Sequence, residues 1–409
     1  MRTEGDAILR DKISIKLSAK RLACAINVLL IGTASAMASP IRLPSGIDFT
    51  PTVSADFLYD DNITSASAGE IESWIVIGAS EFLFEANDKA DTYTFKYGVE
   101  KGAYLDSSKD NYVDHDVNLG GDWELNSRQS LLIEGSYRLG HDERGSGFSR
   151  GFGKGLLEPD KFSESGLSTT FSYGSEETRI SMDASLGVNN LNYSGLAKAD
   201  RNRSNKYGGV ALFVRLTGKT DVVAEVAHWR IGYDNQRVAQ PTLDSRETDY
   251  LVGVDWKGSK SEANLRVGLR TKQFEDPGRE NYSGSRWSAT IKWRPVSYST
   301  LELSSERKTE EVQRAGDFVD VLSNAVAWHH DWSDRVSSEI GYGLEKSGYR
   351  GAGTSKDEEK YRLLNLSIDY QLRRWLTMRG GHTRIVNGAY EDILRYQRNI
   401  TYLGLSVSL

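Results

Sequence analysis

The chain has 409 residues, of which 38% are hydrophobic and 26% are charged, with 39 glycines, one cysteine and a formal net charge of -6. Its mean hydropathy of -0.50 excludes a polytopic helical membrane protein, which would need several apolar runs of roughly 20 residues. The acidic balance also argues against nucleic-acid binding, because nucleic acids recruit basic surfaces.

The first predicted element is an apolar run from Leu22 to Ala38. Six basic residues precede the run, and Ala36-Met37-Ala38 supplies the small-x-small pattern of a secretory cleavage site. We therefore interpret residues 1–38 as a signal peptide rather than a retained anchor. Cleavage removes the one cysteine, Cys24, and leaves 45 basic and 54 acidic residues, since six of the 51 and three of the 57 are lost. A cysteine-free mature chain suits export through an oxidising periplasm.

After a short periplasmic segment, residues 39–46, we predict a single barrel domain over residues 47–409. Its dominant signal is alternation of apolar and polar side chains, which indicates strands that are apolar on one face. In the clearest strand, Trp287, Ala289, Ile291 and Trp293 alternate with Arg286, Ser288, Thr290, Lys292 and Arg294. The same period recurs over residues 113–125, 179–188 and 262–270, and less cleanly over 222–233 and 318–328.

Two kinds of connection alternate between the strands. Eight short polar turns fall at residues 87–91, 126–129, 174–177, 218–220, 258–261, 294–297, 330–334 and 372–374. Longer loops rich in glycine, asparagine and charge fall between them, including residues 140–161, 189–205, 234–246, 274–281, 347–358 and 387–394. This pattern predicts an all-β fold, a transmembrane up-and-down antiparallel β-barrel of about 18 strands. The short turns would be periplasmic and the longer loops extracellular, in the outer membrane of a Gram-negative bacterium.

Two soluble folds also use many strands. A propeller blade of about 40 to 45 residues holds four short strands, and a sandwich has turns every 8 to 12 residues or so. Here each interval between short turns holds two strands long enough to cross a bilayer, so the barrel explains the pattern better.

Barrels of 16 to 18 strands usually enclose an aqueous channel, so the polar strand faces should line a bore. We predict an acidic wall and a basic wall on nearly opposite sides of the ring, and hypothesise a transverse field between them. The alternative is that these side chains are solvated and locally paired. The glycine-rich loop over residues 140–161 either folds into the bore or lies on the surface. The acidic wall consists of Asp114, Asp116, Asp122 and Glu124, and the basic wall of Arg266, Arg270, Lys272, Arg286, Lys292 and Arg294.

Three short motifs carry a family resemblance: Tyr59-Asp60-Asp61-Asn62-Ile63, Trp293-Arg294-Pro295 and Tyr396-Gln397-Arg398-Asn399-Ile400. With them the chain resembles the outer-membrane β-barrel porins associated with exopolysaccharide and capsule synthesis clusters. The resemblance implies a conduit for secretion of an exopolysaccharide or capsular polysaccharide. It also implies that the partners are the polysaccharide chain and periplasmic polysaccharide export and co-polymerase proteins. The chain departs from such barrels in ending with Ser408-Leu409 instead of an aromatic residue.

Two other functions stay open, because a fold does not fix a function. One is a passive diffusion porin for small solutes, and the other is a barrel adhesin or enzyme. Aromatic residues at inward positions or at loop tips would favour sugar binding, and the loop-proximal candidates are Tyr104, Tyr193, Tyr349 and Tyr390. The alternative is that these tyrosines belong to the aromatic belt at the membrane interface.

We expect no enzyme activity, cofactor or metal site. Gly147-Phe148-Ser149-Arg150-Gly151 matches the G-x-S-x-G string but lies in a loop rather than in the strand–turn–helix that this motif requires. His329-His330-Asp331 places adjacent side chains on opposite strand faces, which is unsuitable for binding one metal. His141-Asp142-Glu143 lacks a positioned nucleophile.

Overall fold

The computed structural model describes residues 40–175, 177–234, 241–313, 316–351 and 358–409, so the predicted signal peptide lies outside the described residues. In this part of the chain, no helix is long and apolar enough to cross a membrane. The strands are β1 (Ile41–Arg42), β2 (Asp48–Asp60), β3 (Ser73–Asp88), β4 (Asp91–Tyr104), β5 (Tyr112–Asn126), β6 (Gln129–Asp142), β7 (Asp160–Tyr173), β8 (Ile180–Tyr193), β9 (Arg203–Thr217), β10 (Thr220–Tyr233), β11 (Ser245–Lys257), β12 (Ser261–Phe274), β13 (Tyr282–Val296), β14 (Ser299–Glu311), β15 (Phe318–Ser333), β16 (Val336–Arg350), β17 (Glu358–Arg373), β18 (Leu376–Ala389) and β19 (Tyr396–Ser408). Short 3-10 helices span Ser108–Asp110, Gly147–Ser149, Gly153–Gly155, Leu196–Arg201 and Asp392–Leu394.

Strands β2 to β19 form one closed antiparallel ring. Each of these strands pairs with its neighbours in sequence, and the ring closes where β19 pairs with β2, from Ile400↔Asp60 to Ser408↔Thr52. The two-residue β1 lies in the predicted periplasmic segment and pairs with the start of β2. Nineteen strands less β1 leave eighteen, which confirms the predicted single up-and-down barrel.

Alternation decides which side chains face outward. On β12, Leu265, Val267 and Leu269 are 39%, 56% and 57% exposed, whereas the intervening Arg266 and Arg270 are each only 8% exposed. Burying arginines while exposing leucines is the reverse of a soluble protein, and it is the arrangement expected where lipid covers the outside of a wet bore. The cleanly alternating predicted strands are confirmed as β5, β8, β12 and β13.

The connections fall at two ends of the barrel, which we call the turn end and the loop end. The eight predicted short turns all lie at the turn end. Four connections at the loop end matter below: L1 (61–72), L2 (105–111), L3 (143–159) and L7 (312–317). L3 is shorter than predicted, because β6 runs on to Asp142 and β7 begins already at Asp160.

Burial is concentrated at the loop end. Its apolar clusters centre on Ile63 with Tyr104, on Phe162 with Tyr193, and on Val319. Every one of these groups includes residues at a loop-end strand terminus or in a loop. The barrel is therefore packed most tightly where the loops meet it.

Candidate functional site

The structure places both predicted charged walls on the bore face. The four acidic residues occupy even positions of β5, whose odd positions Val113 and Leu119 are 50% and 54% exposed. The six basic residues likewise occupy the even, bore-facing positions of β12 and β13. Counted around the ring from β2, β5 is the fourth strand and β12 and β13 are the eleventh and twelfth. The two sets therefore lie on nearly opposite walls.

Each residue of the basic wall forms an ion pair with a carboxylate. Asp114 of the acidic wall also has basic partners, His141 at 2.8 Å and Arg138 at 3.6 Å. This local pairing lowers the net charge of both walls, and the transverse field stays a prediction. The basic-wall pairs are Arg266–Asp255 at 2.7 Å, Arg270–Asp249 at 2.5 Å, Lys272–Glu247 at 2.9 Å, Arg286–Glu306 at 3.0 Å, Lys292–Glu302 at 3.5 Å and Arg294–Glu262 at 2.7 Å.

Loop L3 is anchored in the mouth of the bore by a buried arginine. The Arg144 side chain is fully buried and donates to both carboxylate oxygens of Asp110 in L2, at 2.6 and 2.5 Å. The guanidinium also donates to the hydroxyl of Ser107 and to the carbonyl oxygens of Gly153 and Leu156. One side chain therefore fixes the fold of L3 and its attachment to L2.

A second anchor joins L3 to the seam of the ring. Glu143 accepts from Arg398 of β19 at 2.6 Å, and Arg398 also donates to Asp60 at the end of β2. Burial among protein atoms opposes ionisation of Glu143, but the charge and hydrogen bonds of Arg398 outweigh it, so the pKa of Glu143 lies below its ordinary value. Glu143 therefore stays ionised at neutral pH and holds L3 through charge.

A third anchor takes L3 across the bore. Arg150 forms an ion pair with Glu359 of β17 and donates to the hydroxyl of Tyr349 of β16, which itself donates to Glu359. Burial disfavours the charged guanidinium, yet the carboxylate of Glu359 raises the pKa of Arg150. Strand β16 is nine strands from β7 on the eighteen-strand ring. L3 thus spans the bore from wall to wall, which decides between the two predicted positions of this loop.

Glycines allow L3 to pass close to L1. Gly145 has φ +87°, and a Cβ atom there would lie 1.7 Å from the carbonyl oxygen of Thr64. Only glycine fits a left-handed conformation with this contact. Gly155 in the same loop has open space around the position of a Cβ atom, so the constraint at Gly145 is specific.

From the other wall, the end of the β14–β15 hairpin leans inward. The β13–β14 ladder stops at Trp287↔Arg307, although β13 extends to Tyr282 and β14 to Glu311. Arg286 covers the break, donating to the carbonyl oxygens of Trp287 and Arg307 at 2.5 and 3.0 Å. A side chain thus replaces backbone pairing at this place in the wall.

The alternation on β14 shows which way the hairpin leans. Leu303, below the break, faces outward and is 43% exposed. Thr309 and Glu311 share its parity, yet they bond to Arg270 and Lys272 on the bore face of β12, at 3.0 and 2.6 Å. The end of β14 therefore lies on the bore side of β12. Lys272, with no exposed side-chain surface, is held there between Glu247 and Glu311.

On the other face of the hairpin, β15 contributes apolar side chains. Val319 and Val321 of β15 are buried against Val312 of L7, Leu243 and Tyr349. The hydroxyl of Tyr349 also accepts a hydrogen bond from Arg150 of L3. L3 and the β14–β15 hairpin, which enter the mouth from opposite walls, therefore meet at this tyrosine. We take this double closure as the candidate functional site.

Sequence reasoning found the wall residues and missed the anchors Arg144, Arg150 and Glu359. The G-x-S-x-G string does lie in L3, where Ser149 accepts from the backbone of Gly145 and donates to that of Ser146, so the hydroxyl has a structural role. Among the described residues, no group of three or more His, Cys, Asp or Glu side chains is arranged to hold a metal ion.

The match to a protein-family model agrees with this architecture. The family model described as "Putative beta-barrel porin 2" matches residues 48–409. Among solved structures, the outer membrane protein OpdK from Pseudomonas aeruginosa is 13% identical with a TM-score of 0.48, over 88% of this chain and 98% of that chain. OccAB4 from Acinetobacter baumannii is 9% identical with a TM-score of 0.47, over 89% and 98%. The siderophore receptor PirA from Pseudomonas aeruginosa is 9% identical with a TM-score of 0.46, over 88% and 80%. No curated protein matches the sequence.

Proposed function

Because the chain belongs to this β-barrel porin family and is an outer-membrane protein of a Gram-negative bacterium, we propose that it is a diffusion channel for small hydrophilic solutes. The observation that carries the proposal is the meeting of L3 and the β14–β15 hairpin at Tyr349, which narrows the extracellular mouth. A small solute can pass after one loop shifts, whereas a polymer needs a wide bore along its whole length.

The lining chemistry supports polar solutes without strong selection for charge. The basic wall is compensated pair by pair, so a neutral or zwitterionic solute meets hydrogen-bonding groups rather than a bare field. The residual separation of acidic β5 from basic β12 and β13 would orient dipolar solutes during passage. We assign the protein a channel role and no catalytic one.

Polysaccharide export is the second candidate, and the tyrosines favour it. Tyr104, Tyr193 and Tyr349 are bore-facing at the mouth but only 6% to 9% exposed, so they would offer stacking faces to sugar rings only after the segments packed on them are displaced; Tyr390 is 61% exposed. In this proposal the exopolysaccharide would displace L3, and periplasmic export and co-polymerase proteins would dock at the turn end.

Swelling of proteoliposomes separates the two candidates. Wild-type protein would be compared with Arg144→Ala, which removes an L3 anchor, and with Arg42→Ala, whose exposed pair with Asp48 lies at the turn end. We expect monosaccharides to enter with the wild type, faster with Arg144→Ala and unchanged with Arg42→Ala. Failure of every form to admit small sugars would refute the diffusion channel. Loss of surface polymer on gene deletion, with normal sugar uptake, would establish export instead.

A further inference from the structure

A group of cations lies on the outer wall of the barrel near the loop end, away from the bore. We call Lys346, Lys360, Arg362 and Arg384 the basic surface; they lie on the adjacent strands β16, β17 and β18. Lys346 is directly opposite Lys360, Arg362 follows two residues on, and Arg384 is opposite Leu364 in the next row. All four side chains point outward and are exposed.

The apolar residues around the basic surface show that it faces the membrane. Leu344, opposite Arg362, is 42% exposed, and Leu366 and Ile368 continue the outward face of β17 toward the turn end. These side chains belong to the band that lipid tails cover. The basic surface therefore lies at the upper border of that band, at the level of outer-leaflet headgroups.

Among the described residues, three of its four cations lack the counterions that other outward cations possess. At the same end of the barrel, Arg230 and Arg246 share Glu275. On the basic surface, by contrast, only Lys346 has a carboxylate partner, Glu358 at 3.1 Å. Among the described residues, no carboxylate lies within ion-pair distance of Lys360, Arg362 or Arg384, and Arg384 bonds to a neutral amide, that of Gln397.

Such an arrangement is unfavourable unless an anion joins it. Like charges directly opposite each other on neighbouring strands destabilise a sheet, and the low dielectric beside a bilayer strengthens the repulsion. Arginine binds phosphate with two parallel hydrogen bonds, and lysine adds a compact charge. The four cations are spread over three cross-strand rows, a spacing that suits more than one phosphate.

We propose that the basic surface binds the phosphate groups of the phosphorylated glycolipid that forms the outer leaflet, lipopolysaccharide, with its acyl chains against Leu344 and Leu366. This binding concerns the lipid-facing wall and is independent of which solute uses the bore. It would fix the orientation of β16 to β18, of which β16 supplies Tyr349 and β17 supplies Glu359 to the mouth.

The test measures binding of purified lipid A to detergent-solubilised full-length protein. The triple variant Lys360→Gln/Arg362→Gln/Arg384→Gln is compared with Arg230→Gln/Arg246→Gln, which removes outward cations that already have a carboxylate. We expect the triple variant to bind bis-phosphorylated lipid A roughly a hundredfold more weakly than the wild type, and the control variant to bind within about threefold.

Two further probes identify the ligand. Enzymatically dephosphorylated lipid A should bind the wild type no more tightly than it binds the triple variant. Inorganic phosphate at millimolar concentration should not compete with lipid A for the wild type. Equal binding of lipid A by wild type and triple variant, or equal binding of the dephosphorylated lipid, would overturn the proposal. Full competition by inorganic phosphate would overturn the lipid as the ligand and indicate a free-phosphate site. Unchanged heat-modifiable mobility on gels checks that each barrel is folded.

Discussion

Replacing Gly145 with alanine should release L3 from the mouth. The added Cβ would lie 1.7 Å from the carbonyl oxygen of Thr64, whereas real contacts of this kind are essentially never under 3.0 Å, so L1 and L3 must separate by at least the difference of 1.3 Å. If L3 moves by this distance away from L2 as well, the adjacent Arg144 bonds to Asp110, now 2.5 and 2.6 Å, exceed hydrogen-bonding range.

The magnitude follows from these two effects. A left-handed backbone costs alanine about 1 to 2 kcal/mol, and breaking a buried ion pair costs about 3 kcal/mol or more. Together they disfavour the seated loop by about 4 kcal/mol, which is roughly a thousandfold in the ratio of displaced to seated L3.

Single-channel recording in planar bilayers measures the consequence. We expect Gly145→Ala to open at least about tenfold more often than wild type, allowing for the anchors that remain at Glu143 and Arg150. Gly155→Ala, in the same loop with open space around it, serves as the matched control and should match wild type. A correctly folded Gly145→Ala barrel with wild-type conductance would refute the view that the seating of L3 limits passage.

Three other outcomes are expected. Lys272→Met removes the buried cation between Glu247 and Glu311, although Arg270 remains 3.2 Å from Glu247, so the free energy of unfolding in urea should fall by about 3 kcal/mol. Lys292→Met, in a pair whose side chains are 37% and 41% exposed, should change the free energy of unfolding by less than about 1 kcal/mol. The pKa of Glu143 is lower in the folded protein than its ordinary value of about 4.3, so its contribution to seating L3 is fully present above that pH and is lost as the pH falls through the lowered pKa. Acid should therefore increase the conductance of the wild type. Glu143→Gln should abolish this part of the pH dependence, because its channel should already open at neutral pH. Arg294→Glu with Lys292→Glu should shift ion selectivity toward cations if the two walls act as a transverse field, and unchanged reversal potentials would reject that field.

The sequence predicts the wall of the barrel well because one rule applies to each residue separately: side chains that face lipid are apolar, and side chains that face the water-filled bore are polar. Trp287 and Ile291 on β13 face outward as their alternation predicts. The rule fails above residue 307, where Thr309 has outward parity but contacts the bore face of β12. The sequence does carry a signal of this failure, because the outward face of β14 changes from apolar Leu303 to polar Arg307 and Thr309. It indicates that lipid is absent there, but it does not say what takes its place.

Strand β15 was hard to assign for the same reason. Its bore-facing Val319 and Val321 are apolar, because the infolded hairpin needs an apolar face to pack in the mouth. The position of L3 could likewise not be predicted from the sequence. Arg150 pairs with Glu359, which is 209 positions away, and nothing in the local sequence of either residue specifies the other. Sequence periodicity reports the surroundings of a strand, whereas these anchors depend on how loops cross the ring.

The pairing of β19 with β2 determines the order in which parts of the barrel can assemble. It joins residues as far apart as Thr52 and Ser408, 356 positions along the chain, so it can form only after the last strand has been delivered. Arg398 donates to Asp60 across that pairing, and the same guanidinium donates to Glu143 of L3. The Glu143–Arg398 anchor therefore cannot be complete before the ring closes, and we expect L3 to take its final place in the mouth only at that stage.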